Sequence, residues 1–261
     1  MNALRLFGLY LKIGFLHELQ YRVNFFVQLL ESLVSVGIGL AGLALVFSHT
    51  TQLSGWSEYE LLAVMGVHLI MGGLIHTFIQ PNMQRLMDDV QQGSLDYALT
   101  KPEDAQVLVS VRETRVWRLV DVVTGLIVLV YSILSLRNSI GLAQGLAFGS
   151  ALLLGALMIY SFWLIVTSTA FFVIRVDEVA NLFEGLYAAG RWPVGIYPGW
   201  LQAGLTFLVP VAFAVTVPAE ALTGRLTLAT LAGAAALAAA LLLISRWFFR
   251  FGLSRYSGAS A

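Results

Sequence analysis

Four ionisable side chains interrupt stretches of sequence that are otherwise apolar, and they are the first candidates for chemistry. They are two carboxylates, Glu31 and Glu184, and two imidazoles, His68 and His76. Carboxylates at membrane depth are typical of proton or sodium relays in ion-coupled transporters. The histidines stand eight residues apart, which on a helix separates them by about 12 Å along the axis and keeps them from sharing one ion. Their spacing favours hydrogen bonding within a helix bundle, or the lining of a polar cavity.

The residue patterns of several enzyme classes are absent. An intramembrane serine protease needs an activated serine, usually between glycines, but the nearest match, FGSALL around Ser150, lacks the second glycine. The chain has no cysteine, which excludes disulfides and thiolate chemistry. A P-loop requires Gly-Lys-Ser/Thr, whereas Lys12 is followed by isoleucine and Lys101 by proline. We therefore predict no enzyme, metal or cofactor site in this chain, and any use of ATP needs a second polypeptide.

Composition assigns the chain to a lipid bilayer. Hydrophobic residues make up 58% of its 261 residues and charged residues only 11%, against about 25% charged in soluble domains. The formal net charge is zero, so nucleic acid is not an expected partner. Several runs are long enough, as helices, to cross a hydrocarbon core of about 30 Å. The runs are 32–57, 61–84, 138–174, 192–219 and 226–245, which lack Asp, Glu, Lys and Arg, and 119–136, which contains only Asp121.

The order of apolar runs and helix breakers predicts an all-α polytopic membrane protein of one domain with six transmembrane helices. Ser57 suits the N-cap of the second span, and Pro81 with Asn82 is expected to end it. Glycines and prolines are dense late in the chain, which predicts a re-entrant hairpin before the last helix. The predicted parts are an interfacial helix at 1–21, spans near 23–48, 58–80, 119–136, 140–174, 179–191 and 226–248, a cytoplasmic segment at 82–118, and a re-entrant segment at 192–220.

The distribution of basic residues predicts the orientation. With the N-terminus in the cytoplasm, only three of the 15 lysines and arginines, Arg137, Arg191 and Arg225, fall on the outer side. The opposite orientation would reverse that ratio, against the tendency of basic residues to stay inside. Both termini and residues 82–118 are therefore predicted to be cytoplasmic.

Residues 82–93, NMQRLMDDVQQG, predict a short amphipathic helix within that cytoplasmic segment. Its apolar residues recur at the i, i+3, i+4 and i+7 spacing of one helix face, and Gly93 suits a C-cap. The segment is far longer than the connection of about two to eight residues that adjacent spans need. An apolar face in so long a connection indicates a docking element rather than a simple loop.

Short motifs along the chain resemble those of a subgroup of ABC type-2 exporter permeases. QGSLDYALTKP is similar to the Gly-x-Leu-Asp-x-x-Leu-x-Lys-Pro signature of that subgroup. RWPVGIYPGWLQ and VPVAFAVTVPAEALTG are similar to its Arg-x-Pro, Tyr-Pro and Pro-Ala-x-x-Leu-x-Gly pattern. The resemblance extends over essentially the whole chain. It implies the permease of a bacterial inner-membrane exporter, surrounded by lipid, which pairs with an identical or sister permease and binds two ATPase subunits that hold ATP and magnesium.

In that family a short helix after the second span inserts into a cleft of the ATPase, and the resemblance carries this role to particular residues. Those implied at or beside the ATPase contact are Gly93, Leu95, Asp96, Lys101 and Pro102, with Arg175, Asp177 and Glu178 in a second cytoplasmic turn. Those implied to shape the re-entrant gate are Arg191, Pro193, Tyr197, Pro198, Pro210 and Pro218.

Two functions are compatible with these features. The first is ATP-driven export of a hydrophobic or amphiphilic substrate by a permease subunit. The alternative is an ion-coupled secondary transporter that uses Glu31 or Glu184 as its relay. Recovery with a P-loop ATPase favours the first, and transport that survives ATP depletion favours the second.

Overall fold

Helices form every regular element in residues 3–18, 22–136, 141–172 and 178–256, the parts of the chain that the computed structural model describes. The predicted all-α class is therefore confirmed. Short 3-10 and π turns join several helices. The helices are α1 (Ala3–Glu18), α2 (Arg22–Phe47), α3 (Glu58–Leu74), α4 (Gln80–Gln91), α5 (Asp96–Leu99), α6 (Ala105–Val109), α7 (Leu119–Leu136), α8 (Leu142–Ser168), α9 (Glu178–Ala189), α10 (Gly199–Ala203), α11 (Val217–Leu222) and α12 (Leu228–Leu253).

Five helical stretches in the described residues are long and apolar enough to cross a membrane, and they correspond to five of the predicted spans. The predicted span at 179–191 is instead α9, which has 12 residues. Its length of about 18 Å is too short to cross a core of about 30 Å. The five stretches are Val23–Phe47, Glu58–Gln91, Val116–Leu136, Leu142–Phe171 and Leu228–Leu253.

The first helix and the end of the last helix both lie at one end of the molecule. We call it the charged end because it carries residues 85–118. Lys101 Nζ donates a hydrogen bond to Tyr10 Oη of α1 over 3.1 Å. Arg246 of α12 pairs with Asp104 at 3.0 Å. Since α1 and the end of α12 lie at the same end, the chain between them crosses the bundle an even number of times.

The opposite end is held by a capped helix start. Ser57 caps α3 as predicted, because its side chain accepts the N–H of Glu60 while the Glu60 side chain accepts the N–H of Ser57. Arg225 NH2 lies 2.8 Å from both carboxylate oxygens of Glu60, and its guanidinium lies over the Trp56 ring, 4.6 Å from the centroid. These contacts fix the loop after α11 to the start of α3.

Residues 178–225 supply the sixth crossing in short pieces. The stretches Gly199–Leu208 and Ala212–Leu222 meet at 78°, a bend that fits the predicted re-entrant segment. Val194 N–H donates to Thr216 Oγ1 over 3.2 Å, which ties the approach to the first stretch to the middle of the second. The crossing is therefore a folded path rather than one straight helix.

Pro81 does not end the second span, and that prediction was wrong. α3 continues through a π turn, Ile75–Ile79, into α4, so one helix runs from Glu58 to Gln91 and includes the predicted amphipathic helix. A proline removes the N–H that would bond to the carbonyl four residues earlier. Here that carbonyl belongs to Thr77, and it accepts the N–H of Arg115 over 3.2 Å. A donor from another segment thus replaces the missing one.

Asn82, the other predicted terminator, strengthens the same contact. It is fully buried, and its Nδ2 donates to the carbonyls of Phe78 and Glu113, both at 2.7 Å. Its Oδ1 accepts the N–H of Glu113 at 2.8 Å. The Asn82 side-chain amide therefore pairs with both the backbone N–H and the carbonyl of Glu113, a residue that lies in no helix or strand. The long helix and residues 113–115 form one hydrogen-bonded unit.

Each π turn in the described residues precedes a proline by two positions. The wider turn gives room to the pyrrolidine ring, which in an α-helix would clash with a carbonyl of the preceding turn. At two of the prolines the helix continues, whereas at the third the preceding residue, Val209, is extended with φ −117° and ψ 104° and the axis bends. The turns and prolines are Ile75–Ile79 with Pro81, Gly204–Leu208 with Pro210, and Ala212–Thr216 with Pro218.

Glycines bring α3 and α7 into close contact. A Cβ added to Gly125 would lie 2.7 Å from the backbone nitrogen of Ile70, and one added to Gly66 would lie 2.9 Å from that of Leu129. Small residues permit this approach of two backbones between membrane helices. The two helices are therefore expected to move as one body.

The alanine-rich α12 packs against α8. Ala234 and Ala238 are buried in a small cluster with Met158 of α8. Large apolar side chains elsewhere on α12, among them Leu243 and Trp247, are exposed, as suits a helix surrounded by lipid. The small face therefore has its partner within the chain.

Replacing Gly125 by alanine is expected to destabilise the protein, because the added methyl group would overlap the backbone of α3. We expect a loss of about 1–3 kcal/mol, the usual range for overpacking, measured by thermal unfolding of the purified protein in detergent. Gly37→Ala is the matched control, since nothing lies within 4 Å of a Cβ there and alanine favours a helix. Equal unfolding temperatures for the two variants would contradict the close packing.

Candidate functional site

A buried carboxylate organises the charged end where α4 terminates. Asp89 is 6% exposed, and its side chain pairs with Arg112 at 2.7 Å and with Arg85 at 3.2 Å. The first contact is a close ion pair rather than an aligned hydrogen bond. Ser94 Oγ donates to the same carboxylate at 3.2 Å, and the backbone carbonyl of Asp89 accepts the N–H groups of Ser94 and Leu95. One residue thus ties the helix end, the following turn and the returning segment together.

The turn after α4 is built from a glycine and a buried leucine. Gly93 ends the helix as predicted, with a φ of 70° that glycine adopts without steric cost. Leu95, implied at or beside the ATPase contact, is fully buried and belongs to the main apolar core. It therefore supports the segment from inside and does not face a partner.

The exposed residues that follow form one surface at the charged end. Asp96 is half-buried at the start of α5, and Lys101 and Pro102 are exposed. Tyr97, which the motif comparison did not single out, is 80% exposed. The i, i+3 pair Leu95 and Ala98 points inward, and this spacing could have shown that Tyr97 points outward. We call this surface the coupling surface; its residues are Gly93, Asp96, Tyr97, Lys101 and Pro102.

Asp104 links the charged end to the last helix. Its Oδ1 accepts the N–H groups of Gln106 and Val107 at the start of α6, and its Oδ2 accepts a hydrogen bond from Arg246 at 3.0 Å. Partial burial acts to raise the pKa of this carboxyl, but hydrogen bonds from Val107 and Arg246 outweigh it and hold the pKa below its ordinary value. The charged link is therefore present at neutral pH and is lost only as the pH falls through the lowered pKa.

Of the three residues implied at a second ATPase contact, Glu178 lies among the described residues. Arg175 and Asp177 lie outside the described residues. Glu178 is the first residue of α9. α8 returns to the charged end before that helix begins, because Phe171 packs on Phe249 and Tyr256 near the end of α12.

The residues implied to shape a gate lie mainly at the joints between short helices. Pro193 and Pro198 each precede a short helix, and Pro210 lies at the 78° bend. Tyr197 donates its hydroxyl hydrogen to a carbonyl at the end of α9 over 2.8 Å. Pro218 differs, because it lies inside a continuous helical stretch. Three of these four prolines therefore lie at joints between short helices, and Pro218 does not.

Arg191 lines a polar cavity of about 280 Å³ between α2, α3, α7 and α9, instead of lying at an outer surface as the count of basic residues assumed. His68, another lining residue, is ten residues into the long helix, about 15 Å from its start. The cavity therefore extends from the start of α7, which holds Asp121, to about the middle of the bundle, where His68 lies. Its charged or imidazole lining residues are Glu31, His68, His76, Arg118, Asp121, Glu184 and Arg191.

One hydrogen-bonded network crosses this cavity from the long helix to α9. His76 Nδ1 lies 2.7 Å from Gln80 Oε1, and Gln80 Nε2 donates to Glu184 Oε1 at 3.1 Å. Further along, the His68 and Tyr187 rings stack with centroids 4.5 Å apart, and Tyr187 Oη donates to the His68 carbonyl at 2.7 Å. The interpretation of both histidines as bundle and cavity residues is confirmed.

The opposite wall of the cavity is formed by α2, and polar side chains attach it to α7. The contacts are long, from 3.2 to 3.5 Å, and they are only partly buried. Sequence reasoning placed Asp121 at an edge and gave Arg118 no role, because only the folded chain shows what faces them. The contacts are Gln28 Nε2 to Asp121 Oδ2 at 3.3 Å, Ser32 Oγ to Thr124 Oγ1 at 3.2 Å, and Arg118 to Glu31 at 3.5 Å.

The protein combines long apolar helices with a charged end and a polar cavity. A family model described as ABC-2 family transporter protein matches residues 33–260. The chain belongs to this family. No curated protein and no solved structure matches it.

Family membership defines the role of the chain at a coarse level. An ABC-2 family chain with several apolar helices is a multi-pass membrane protein and the permease subunit of an ABC transporter. Membrane subunits of this family work with ABC ATPase partners, generally as dimers. In the described residues no three His, Asp or Glu side chains are placed to hold one metal ion.

In this ABC-2 permease, Asp89→Ala is expected to loosen the charged end, because it leaves Arg112, 14% exposed, without its counter-ion. Removing one partner of a buried ion pair costs about 3–5 kcal/mol, and the partial exposure of Arg112 places our expectation at the lower limit. The loss of stability is measured by thermal unfolding, and the loosening of the charged end by limited proteolysis in the segment that follows Gln91. Asp88→Ala is the matched control, because the neighbouring Asp88 is exposed. Indistinguishable cleavage rates would rule out the organising role of Asp89.

Proposed function

We propose that the chain is the permease subunit of an ATP-driven exporter in a bacterial inner membrane, with the charged end and both termini in the cytoplasm. It works as a dimer with an identical or a sister permease, bound to two ATPase subunits that hold ATP and magnesium. The observation that carries the proposal is the coupling surface, an exposed patch fixed rigidly to a helix that runs through the whole bundle. Its residue types suit a protein partner.

An exposed tyrosine among charged residues is typical of the anchor of a protein interface. Tyr97 is 80% exposed, and Asp96 and Lys101 lie on the same surface. The turn beneath is held by Asp89 and by the buried Leu95, so a partner that binds there meets an ordered patch. An ATPase that grips this patch can therefore displace the permease without first ordering a loop.

The continuity of α3 and α4 supplies the route for that displacement. A push at the coupling surface moves α4, and with it α3, because no flexible joint separates them. α3 carries α7 through the glycine contacts, and it holds α9 through the hydrogen bond of Tyr187. The end of α9 packs in turn on the re-entrant stretch, where a Cβ on Gly190 would overlap the Val211 side chain.

The orientation is supported by where the basic residues lie. Arg85, Arg112 and Arg246 are all engaged at the charged end. With Arg191 in the cavity, only Arg137 and Arg225 remain of the basic residues that the sequence assigned to the outer side. The asymmetry that keeps basic residues in the cytoplasm is thus stronger than the sequence alone indicated.

An apolar cavity next to the polar one supports a hydrophobic or amphiphilic substrate. It has a volume of about 720 Å³ and is lined by apolar side chains of α2, α3 and α7, among them Leu33, Leu62 and Ile127. Such a volume falls within the about 300–1,000 Å³ of small-molecule sites. The α2–α7 contact separates the two cavities, so an amphiphile can place unlike parts on its two sides.

The same polar cavity favours a second candidate, an ion-coupled secondary transporter. Glu31 and Glu184 both line the cavity, and Glu184 shares a hydrogen-bond network with His76 through Gln80. Paired acidic and imidazole groups of this kind can relay protons in a membrane. The two candidates differ in their energy source.

Changes at the coupling surface are expected to weaken ATPase binding. Asp96→Arg reverses a charge at the surface, and Tyr97→Ala removes its aromatic anchor, which typically contributes about 2 kcal/mol or more, or about thirtyfold in affinity. The measurement is recovery of the ATPase with tagged permease from native membranes. Tyr59→Ala is the control, because Tyr59 is 39% exposed at the opposite end. Unchanged recovery with both surface variants would show that the docking surface lies elsewhere.

The energy source is expected to be ATP. Inside-out vesicles that contain the permease and its partner should accumulate substrate only when ATP is supplied, and a protonophore should leave the rate unchanged. As a control, Glu184→Gln should retain ATP-driven transport, since neutral glutamine keeps a hydrogen bond to Gln80. Transport that continues without ATP and stops on collapse of the proton gradient would replace the exporter by the ion-coupled alternative.

A further inference from the structure

Arg191 is the one arginine of the polar cavity without a counter-ion among the described residues. Its guanidinium has no hydrogen bond and no ion pair there, although its backbone N–H bonds to Ala188. Arg118, the other arginine of the cavity, faces Glu31 at 3.5 Å. An unpaired cation within a membrane protein is costly, and such residues usually face a pathway or a partner. The described residues therefore supply no counter-ion for Arg191.

His68 presents a second unsatisfied group in the same cavity. Its side chain is 8% exposed and lines the cavity, and its Nδ1 has no hydrogen-bond partner. No hydrogen bond fixes the tautomer, so the imidazole can present an N–H as well as an acceptor. The ring position is nevertheless fixed by stacking on Tyr187. An imidazole that can donate a hydrogen bond, in the cavity that Arg191 also lines, suits one bound acceptor group.

The carboxylates of the cavity limit where an anion can bind. Glu184 is engaged by Gln80 and His76, and Asp121 accepts from Gln28. These acidic groups lie toward the charged end, because Gln80 and His76 are further along the long helix than His68. An anion is therefore repelled from that part and attracted to the part that holds Arg191. Charge alone selects the position.

The size of the cavity limits the ligand to a small group. About 280 Å³ is below the about 300–1,000 Å³ of sites that enclose a drug-sized molecule. A phosphate or carboxylate fits, whereas a complete amphiphile does not. The apolar cavity on the other side of the α2–α7 contact is large enough for an apolar tail.

We propose that Arg191 and His68 form a binding site for a phosphate or carboxylate group at mid-membrane depth, and that the transported amphiphile carries this group. The second part rests on the proposed function, because it treats the ligand as exported substrate. Arg191 supplies the counter-charge, and the His68 ring supplies a hydrogen-bond donor. The ligand chemistry can come from the head group of an amphiphile or from a free anion, and these sources are separable by experiment.

The test uses the purified full-length chain in a nonionic detergent and three probes: octyl phosphate, inorganic phosphate and octyltrimethylammonium. Binding is measured as the concentration dependence of the unfolding temperature. We expect octyl phosphate to stabilise the protein saturably and octyltrimethylammonium to give no saturable shift. Arg191→Gln should weaken the apparent affinity for octyl phosphate at least tenfold, and Arg191→Lys, which keeps the charge, should weaken it less.

Arg255→Gln is the matched control, because it removes the same charge from an exposed position near the end of α12 and should leave binding unchanged. Equal affinity of the natural protein and Arg191→Gln, or equal stabilisation by the cationic probe, overturns the site. Inorganic phosphate that binds as tightly as octyl phosphate overturns the assignment to an amphiphile. If Arg191→Gln does not fold, the site is still tested by comparing the binding of the phosphate and ammonium probes to the natural protein and to Arg191→Lys.

Failure of this site and failure of the proposed function give different results. If no ATPase is recovered with the chain but octyl phosphate binds in an Arg191-dependent manner, the exporter proposal fails and the site remains. If ATP-driven export is observed and Arg191→Gln neither binds octyl phosphate more weakly nor transports more slowly, the exporter remains and the site is wrong.

Discussion

The continuity of the helix from Glu58 to Gln91 is the constraint on which the rest of the structure depends. A proline inside it would normally leave a carbonyl without a donor, but Arg115 supplies one and Asn82 binds Glu113 from the next turn. Because these bonds hold the returning segment as well, the start of α7 is positioned by the helix that precedes the coupling surface. A break at the proline would uncouple that surface from α3.

The same helix also explains how α9, too short to cross a membrane, holds a defined position. Polar groups in a hydrocarbon environment must be paired within the protein, and the long helix of α3 and α4 pairs them with those of α9. Gln80 donates to Glu184, and Tyr187 donates to the carbonyl of His68. Hydrogen bonds thus replace the length that fixes an ordinary transmembrane helix, and the polar cavity is a consequence of that arrangement.

The sequence predicted what depends on local pattern and missed what depends on distant donors. Hydropathy located five long helices, and local chemistry placed the caps at Ser57 and Gly93. Pro81 was misread because the group that rescues its helix is the N–H of Arg115, more than thirty residues away. Arg191 was placed at an outer surface because a count of charges contains no information on depth. In the first case a distant donor overrides a local rule, and in the second the packing of α2, α3, α7 and α9 determines what surrounds the side chain.

The walls of the polar cavity differ in stiffness, and this difference connects the coupling surface to the cavity. α3 and α7 are locked by backbone contact at glycines, whereas α2 is attached to α7 through contacts of 3.2 Å and longer between polar side chains. Such contacts exchange readily for bonds to water or to a bound head group, while interlocked backbones do not slide. In the proposed exporter, a displacement that enters through α4 would therefore move α3 and α7 together and open the cavity along α2, the side on which the apolar cavity lies.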